Sequence, residues 1–262
     1  MREPGSILLI SCYELGHQPL GVGWACAFLR RAGFSPHTLD IAIEPLDKTR
    51  MLRAGLIGIS VPMHTALRLG LQVAGLVRQL NPACHICFFG LYAQLNREFL
   101  LSSVADSVIG GEYEQALVAL AEALESNGLD ELKGVSRAGR LQDPVLVRLA
   151  LPVPDRSGLP DLDRYAKLEH NGVRSLAGYV EATRGCKHHC LHCPIPPVYG
   201  GRFFVIPKEV VLQDIRGLVA AGARHITFGD PDFLNGPGHS LTIVRTMHRE
   251  FPDLTFDFTA KI

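Results

Sequence analysis

The first 127 residues alternate short, continuous apolar runs with stretches whose apolar positions recur at helical spacing. Runs at residues 6–11, 36–41, 56–61, 85–89 and 107–109 read as strands. Unbroken apolarity, rather than apolar–polar alternation, is the mark of parallel strands covered on both faces. Helical patterns fill the intervals, at about 19–32, 64–81, 93–103 and 112–126. In the second of these, Leu69, Val73, Leu76, Val77 and Leu80 mark one face, and Asn81-Pro82 stops it. Arg30-Arg31 with Gly33 just beyond predicts another helix end. Strands alternating with helices imply an α/β fold, a Rossmann-like doubly wound parallel sheet with ligand sites at the carboxyl ends of its strands.

Residues 128–177 break this rhythm. Gly134 to Leu162 is rich in Gly, Pro, Asp and Arg, which favours an extended linker. Alternation resumes with a strand at 178–182, followed by a cysteine-bearing loop and a helix opened by Pro207. That helix has Val211, Ile215, Leu218 and Val219 as its core face and ends at Gly222. A strand at 225–229, a helix at 239–250 with Ile243, Val244 and Met247 inward, and a strand at 254–260 complete the pattern. The expected organisation is an α/β domain at 1–127, a linker at 128–177 and a second domain at 178–262. Three strands and two helices joined as right-handed βαβ units would leave an open parallel edge. The second domain therefore reads as cut short.

Composition narrows the function classes. Lys plus Arg (26) balances Asp plus Glu (26), so no bulk field favours nucleic acid or an anionic membrane. No apolar run approaches the roughly 18 residues of a membrane span, and Ile7–Ile10 is too short for a signal core. The expected location is the cytoplasm. There, seven cysteines read as reduced thiols or metal ligands rather than disulfides.

Three of the seven lie within eight residues: Cys186-Lys-His-His-Cys190-Leu-His-Cys193. A loop that curls can bring such thiolates to one centre, and thiolates favour iron–sulfur clusters or zinc. Three ligands on a four-iron cube leave one iron open to a substrate, as at catalytic zinc. The spacing, preceded by Thr183-Arg-Gly185, resembles the signature of the radical SAM superfamily. Pro207-Lys-Glu-Val-Val211 and Ala221-Gly-Ala-Arg-His-Ile-Thr-Phe-Gly-Asp-Pro-Asp-Phe233 are similar to the segments that come after the cluster loop in that superfamily. The resemblance implies an enzyme with a [4Fe–4S] cluster on Cys186, Cys190 and Cys193. Such a cluster donates one electron to S-adenosylmethionine (SAM), giving methionine and a 5′-deoxyadenosyl radical. It also implies a (β/α) barrel of about six strands, here incomplete, and an electron donor such as flavodoxin or ferredoxin. A small molecule or peptide would be the substrate. His192 stands where the family usually has an aromatic near adenine, and Gly229 and Asp230 follow a strand where SAM is contacted. The bland reading of Asp230 and Asp232 is a polar turn shaped by Pro231.

Pro19-Leu-Gly-Val-Gly23, Leu56-Ile-Gly-Ile-Ser60 and Gly110-Gly-Glu112 resemble cobalamin-binding domains that precede such barrels. The linker phrases Pro154–Pro160 and Asp163-Arg-Tyr165 are similar to the join in those proteins. This likeness would place a corrin near Gly16, Ser60, Val61, Met63, Gly90, Leu91, Tyr92, Gly110, Gly111 and Glu112. The Asp-x-His-x-x-Gly motif that supplies a lower cobalt ligand is absent, and His17 lacks its spacing. A cobalamin-dependent methyltransferase or a related enzyme is the implied activity.

A non-catalytic cobalamin- or zinc-binding module is the alternative. For zinc, His188, His189 or His192 would complete a Cys3His site. Cys84 and Cys87 also form a Cys-x2-Cys pair, but three positions apart on a strand they point to opposite faces and read as core, as does Cys26. Cys12 follows the first strand and stays open between core and site. His225 and His239 read as structural or solvated, and Lys187-His-His189 as an exposed cationic loop.

Overall fold

The computed structural model describes residues 1–126, 128–129 and 132–261. The expected boundary between 127 and 128 falls on Asn127, outside the described residues. The chain forms two compact units. The first is residues 1–14, 21–149 and 154–159, and the second is 15–20, 150–153 and 160–262.

The first unit is built on β1 (Ile7–Ser11), β2 (His37–Asp40), β3 (Leu56–Ser60), β4 (His85–Phe89), β5 (Ser107–Ile109) and β6 (Val135–Ser136). The sheet order is β2-β1-β3-β4-β5-β6, parallel except for the antiparallel β6. The helices are α1 (Leu20–Arg31), α2 (Lys48–Arg53), α3 (His64–Leu80), α4 (Leu91–Leu95), α5 (Arg97–Ser103) and α6 (Glu114–Ser126). Period-two alternation explains why each strand needs apolar residues throughout. Leu8, Ile10, Ile57, Ile59, Ile86 and Phe88 pack on the face covered by Met51, Val73, Val77 and Leu100. Ile7, Leu9, Leu56, Cys87 and Phe89 pack on the other, against Val22, Leu29, Leu117 and Leu120. Burying each large aliphatic side chain contributes about 1.5–3 kcal/mol. The 2-1-3-4-5 order reverses direction between β1 and β3, which is the ligand-binding crevice of this architecture.

Cys84 and Cys87 do lie on opposite faces, one in each core cluster. Burial pushes the thiols of Cys12, Cys84 and Cys87 up to about 12 and that of Cys26 up to about 11. Cys12, open on sequence grounds, is thus a core residue. Iodoacetamide at neutral pH should label Cys190 and Cys193 in the metal-free chain and spare these four until denaturant is added. Mass spectrometry of the labelled chain measures this. Labelling of Cys84 or Cys87 without denaturant would contradict it.

The second unit holds β7 (Lys167–His170), β8 (Val173–Val180), β9 (Thr183–Gly185), α7 (Pro196–Tyr199), β10 (Phe203–Val205), α8 (Lys208–Ala220), β11 (His225–Phe228), α9 (Pro237–Glu250) and β12 (Thr255–Phe258). Its main sheet runs β12-β11-β8-β7, with β8, β11 and β12 parallel. Val211, Leu212, Ile215 and Leu218 form the buried face of α8, and Ile243 and Met247 that of α9. Val219 and Val244 are only half-buried.

The stretch read as linker holds more order than its composition implies. It contains β6, β7 and the first half of β8. β7 and β8 form an antiparallel hairpin turned by Asn171 (φ 50°) and Gly172 (φ 74°). Two successive positive φ values are the geometry of the tight turn that Asn-Gly favours. That dipeptide was the available signal. Among the described residues no helix is long and apolar enough to cross a membrane.

Candidate functional site

The cysteine loop leaves the carboxyl end of the first parallel strand of the second unit. β8 ends at Val180, and β9 then pairs antiparallel with β10, through Thr183↔Val205, Arg184↔Phe204 and Gly185↔Phe203. This two-stranded clamp closes the base of the loop that carries all three cysteines. Gly185 sits at the clamp's last register with φ 71°, and a Cβ there would overlap the Arg202 carbonyl oxygen and the Tyr199 ring. Only glycine tolerates both. Cys186 follows at once and is 7% exposed, whereas Cys190 and Cys193 are half-buried and Leu191 between them is fully exposed. All three thiols are free.

The loop is pinned by the segment after β11. Asp230 is 2% exposed and accepts hydrogen bonds from the Ala182 N–H (3.0 Å) and the Thr183 hydroxyl. Asp232 accepts from the Leu234 N–H (3.0 Å) and pairs with His188 Nε2 at 2.7 Å. Lys187 Nζ donates to the Asn235 carbonyl (2.7 Å) and stands 4.8 Å from the centre of the Phe203 ring. In the stretch read as an exposed cationic loop, Lys187 and His189 are exposed, as is His192, and His188 is half-buried; Lys187 and His188 are also held by hydrogen bonds. His239 reaches the Ala182 carbonyl at 3.2 Å, and His225 pairs with Thr255 at 2.8 Å.

Gly229, expected near SAM, lies against Tyr179 of the neighbouring strand, and a Cβ there would meet the phenol and make it shift. Burial raises the Asp230 carboxyl from 3.8 to about 6, against the hydrogen bonds that lower it. A carboxyl with a raised native pKa stabilises the fold fully below its unfolded value and loses that contribution as pH rises through 6. At about 1.4 kcal/mol per unit the change is on the order of 3 kcal/mol between pH 4 and 6. Asp230→Asn should flatten that slope in urea unfolding. Its carboxamide can still accept from Ala182 and donate to the Thr183 oxygen. An unchanged slope would show that Asp230 does not titrate there.

In the first unit, nine of the ten residues expected around a corrin come together at the carboxyl edge of β3, β4 and β5. Ser60 ends β3, Gly90 (φ 106°) opens α4, and Gly110–Glu112 follow β5. The Val61 carbonyl accepts the Tyr92 N–H (3.0 Å), and the Gly90 N–H donates to Ile109 (3.0 Å). The chain itself explains the two glycines after β5, since a Cβ at Gly110 would meet Gln94 and one at Gly111 the Val145 carbonyl. Gly16 belongs with the second unit, where its carbonyl accepts the Ala166 N–H at 2.9 Å. His17 is there too, stacked on Tyr179 at 4.6 Å, and burial lowers its pKa.

Among the described residues no three His, Cys, Asp or Glu side chains are already gathered to hold a metal ion. The donor set nevertheless fits a thiolate-bound centre. Three free thiols lie within eight residues, and the buried one accepts an amide N–H at its sulfur, from Asn235 Nδ2 at 3.3 Å. Such a bond to a ligand sulfur is the kind of outer contact that orients metal ligands.

Fold and site together define a class: a flavodoxin-like parallel sheet, followed by parallel β/α units whose first strand delivers a Cys-x3-Cys-x2-Cys loop. No protein-family model matches the chain. It is 27% identical over 215 residues to the hopanoid C-3 methylase of Methylococcus capsulatus, covering 78% of this chain and 41% of that protein. It is 26% identical over 131 residues to the ribosomal protein uS12 methylthiotransferase RimO of Phocaeicola vulgatus, covering 44% of this chain and 30% of RimO. The fold matches the radical SAM methyltransferase TsrM of Kitasatospora setae at a TM-score of 0.77 and 20% identity. That match spans 95% of this chain and 52% of TsrM, which has been solved with cobalamin and a [4Fe–4S] cluster and with tryptophan and a SAM analogue. The chain thus shares the fold of the matched half of TsrM and is similar in sequence to a methylase and a methylthiotransferase. It spans about half the length of these relatives or less.

Proposed function

We propose that this chain carries the cofactor-binding part of a radical SAM methyltransferase. The supporting observation is the Cys186–Cys193 loop itself, clamped by β9 and β10 at the carboxyl end of a barrel-type strand. Cys186, Cys190 and Cys193 would hold a [4Fe–4S] cluster. When bound, such a cluster supplies the electron that cleaves SAM. The protein's own part is positional. Asp230 ties Ala182 and Thr183 to the end of β11, so the first cysteine leaves a fixed root. His192 and the Gly229–Asp230 turn are the proposed SAM contacts, and the carboxyl edge of β3–β5 is the proposed cobalamin seat. The working division is a cobalamin-type domain at 1–127, a linker at 128–177 and the start of the barrel at 178–262. A small organic molecule, as tryptophan is for TsrM, is the proposed substrate class, with a flavodoxin or ferredoxin as electron donor.

Anaerobic reconstitution with iron and sulfide should give a cluster whose EPR spectrum changes when SAM is added. Uptake of zinc without iron would overturn the reading. A cluster indifferent to SAM would remove the chemistry and leave the metal site. Cobalamin titration tests the first unit separately: a corrin absorption change at micromolar concentrations is expected, and its absence would leave that unit a scaffold.

A further inference from the structure

Asn235 ends the short turn Phe233–Asn235 after β11 and is 6% exposed. Its carboxamide reaches back 48 and 49 residues to the cysteine loop. Oδ1 accepts the Lys187 backbone N–H at 3.3 Å, and Nδ2 donates to the Cys186 sulfur at 3.3 Å. A backbone N–H can only donate, so the oxygen must face Lys187 and the amide hydrogens must face sulfur. The Asn235 carbonyl also holds the Lys187 ammonium at 2.7 Å. One buried residue therefore aims a donor at the first cysteine and tethers a cation beside it.

We propose that Asn235 is a positioning residue that sets the reduction potential of the cluster held by Cys186, an inference resting on the cluster reading above. Reduction adds negative charge that spreads onto the ligand sulfurs. An N–H directed at sulfur stabilises that charge and raises the potential. Without the donor, the reduced cluster is disfavoured. The expected effect is a roughly tenfold lower ratio of reduced to oxidised cluster at fixed applied potential, about 59 mV downward for a one-electron couple.

The test is an EPR-monitored redox titration of the reconstituted 262-residue chain, comparing wild type with Asn235→Ala and Asn235→Asp. The aspartate keeps an acceptor for the Lys187 N–H but replaces the donor with a negative charge, so the alanine reads loss of the donor and the aspartate reads that loss plus the charge. Both variants should titrate below wild type, with the aspartate lower because it adds negative charge. If the alanine variant does not fold, Asn235→Ser, which is small, uncharged and too short to reach the sulfur, replaces it in the titration. Midpoints equal to wild type would overturn the inference while leaving the cluster reading intact. Failure of the wild type to take up iron and sulfide would overturn both.

Discussion

Replacing Cys186, Cys190 and Cys193 together by alanine is expected to abolish iron and sulfide uptake on reconstitution while leaving the metal-free chain folded. Each single replacement should have nearly the same effect on cluster content. A three-thiolate site that loses one ligand leaves a second iron without protein coordination, and thiolate ligation is what holds such clusters. Stability should move little, because Cys190 and Cys193 are only half-buried. Changes at such positions usually stay within about 0.5 kcal/mol. Cys186 is the more deeply packed of the three, so its variant should show the larger loss in metal-free thermal unfolding. Iron and sulfide per chain, measured beside a melting curve, separate the two effects. A triple variant with wild-type iron content would show that the loop is not the binding site.

Gly185→Ala should be the most damaging change that touches no candidate ligand. The backbone there lies at φ 71°, which costs an L-residue about 1–2 kcal/mol. The added Cβ would also overlap the Arg202 carbonyl, which is backbone held in the β9–β10 clamp and cannot swing aside. Overpacking of this kind costs about 1–3 kcal/mol. Together they predict a loss of about 2–5 kcal/mol, a melting point roughly 4–20 °C lower, and poor cluster retention because the loop is re-aimed. Gly217→Ala is the control. It lies inside α8, exposed, with nothing near the new methyl, so it should stabilise by about 0.5–1 kcal/mol. Equal melting points for the Gly185 variant and wild type would mean that the clamp gives way freely.

The alternation of apolar runs and helical faces already determined the five parallel strands and the helices α1, α3 and α6 of the first unit and the three parallel strands of the second, but not α2, β6 or the division of 93–103 into α4 and α5. Those signals are local: a strand buried on both faces must be apolar throughout, and an amphipathic helix must repeat at its own period. The three cysteines were legible for the same reason, since their meaning lies in spacing along eight residues. Order of strands is not local, so only the folded chain revealed the 2-1-3-4-5 sheet and the reversal between β1 and β3. Gly229 and Asp230 show the limit most directly. In sequence they stood as SAM contacts, and the fold adds what sequence could not show: the glycine lies against Tyr179 and the carboxylate ties down Ala182 and Thr183. The β9–β10 clamp was invisible because Thr183-Arg-Gly185 is not an apolar run and its pairing with β10 is made across the cysteine loop. The Asn235–Cys186 hydrogen bond joins residues 49 apart, and no pattern along the chain encodes a contact made by folding across that distance. Sequence thus proposed which residues could bind a metal. Tertiary structure decided which neighbours hold them in place, because hydrogen bonds and steric overlap depend on distance in space and not along the chain.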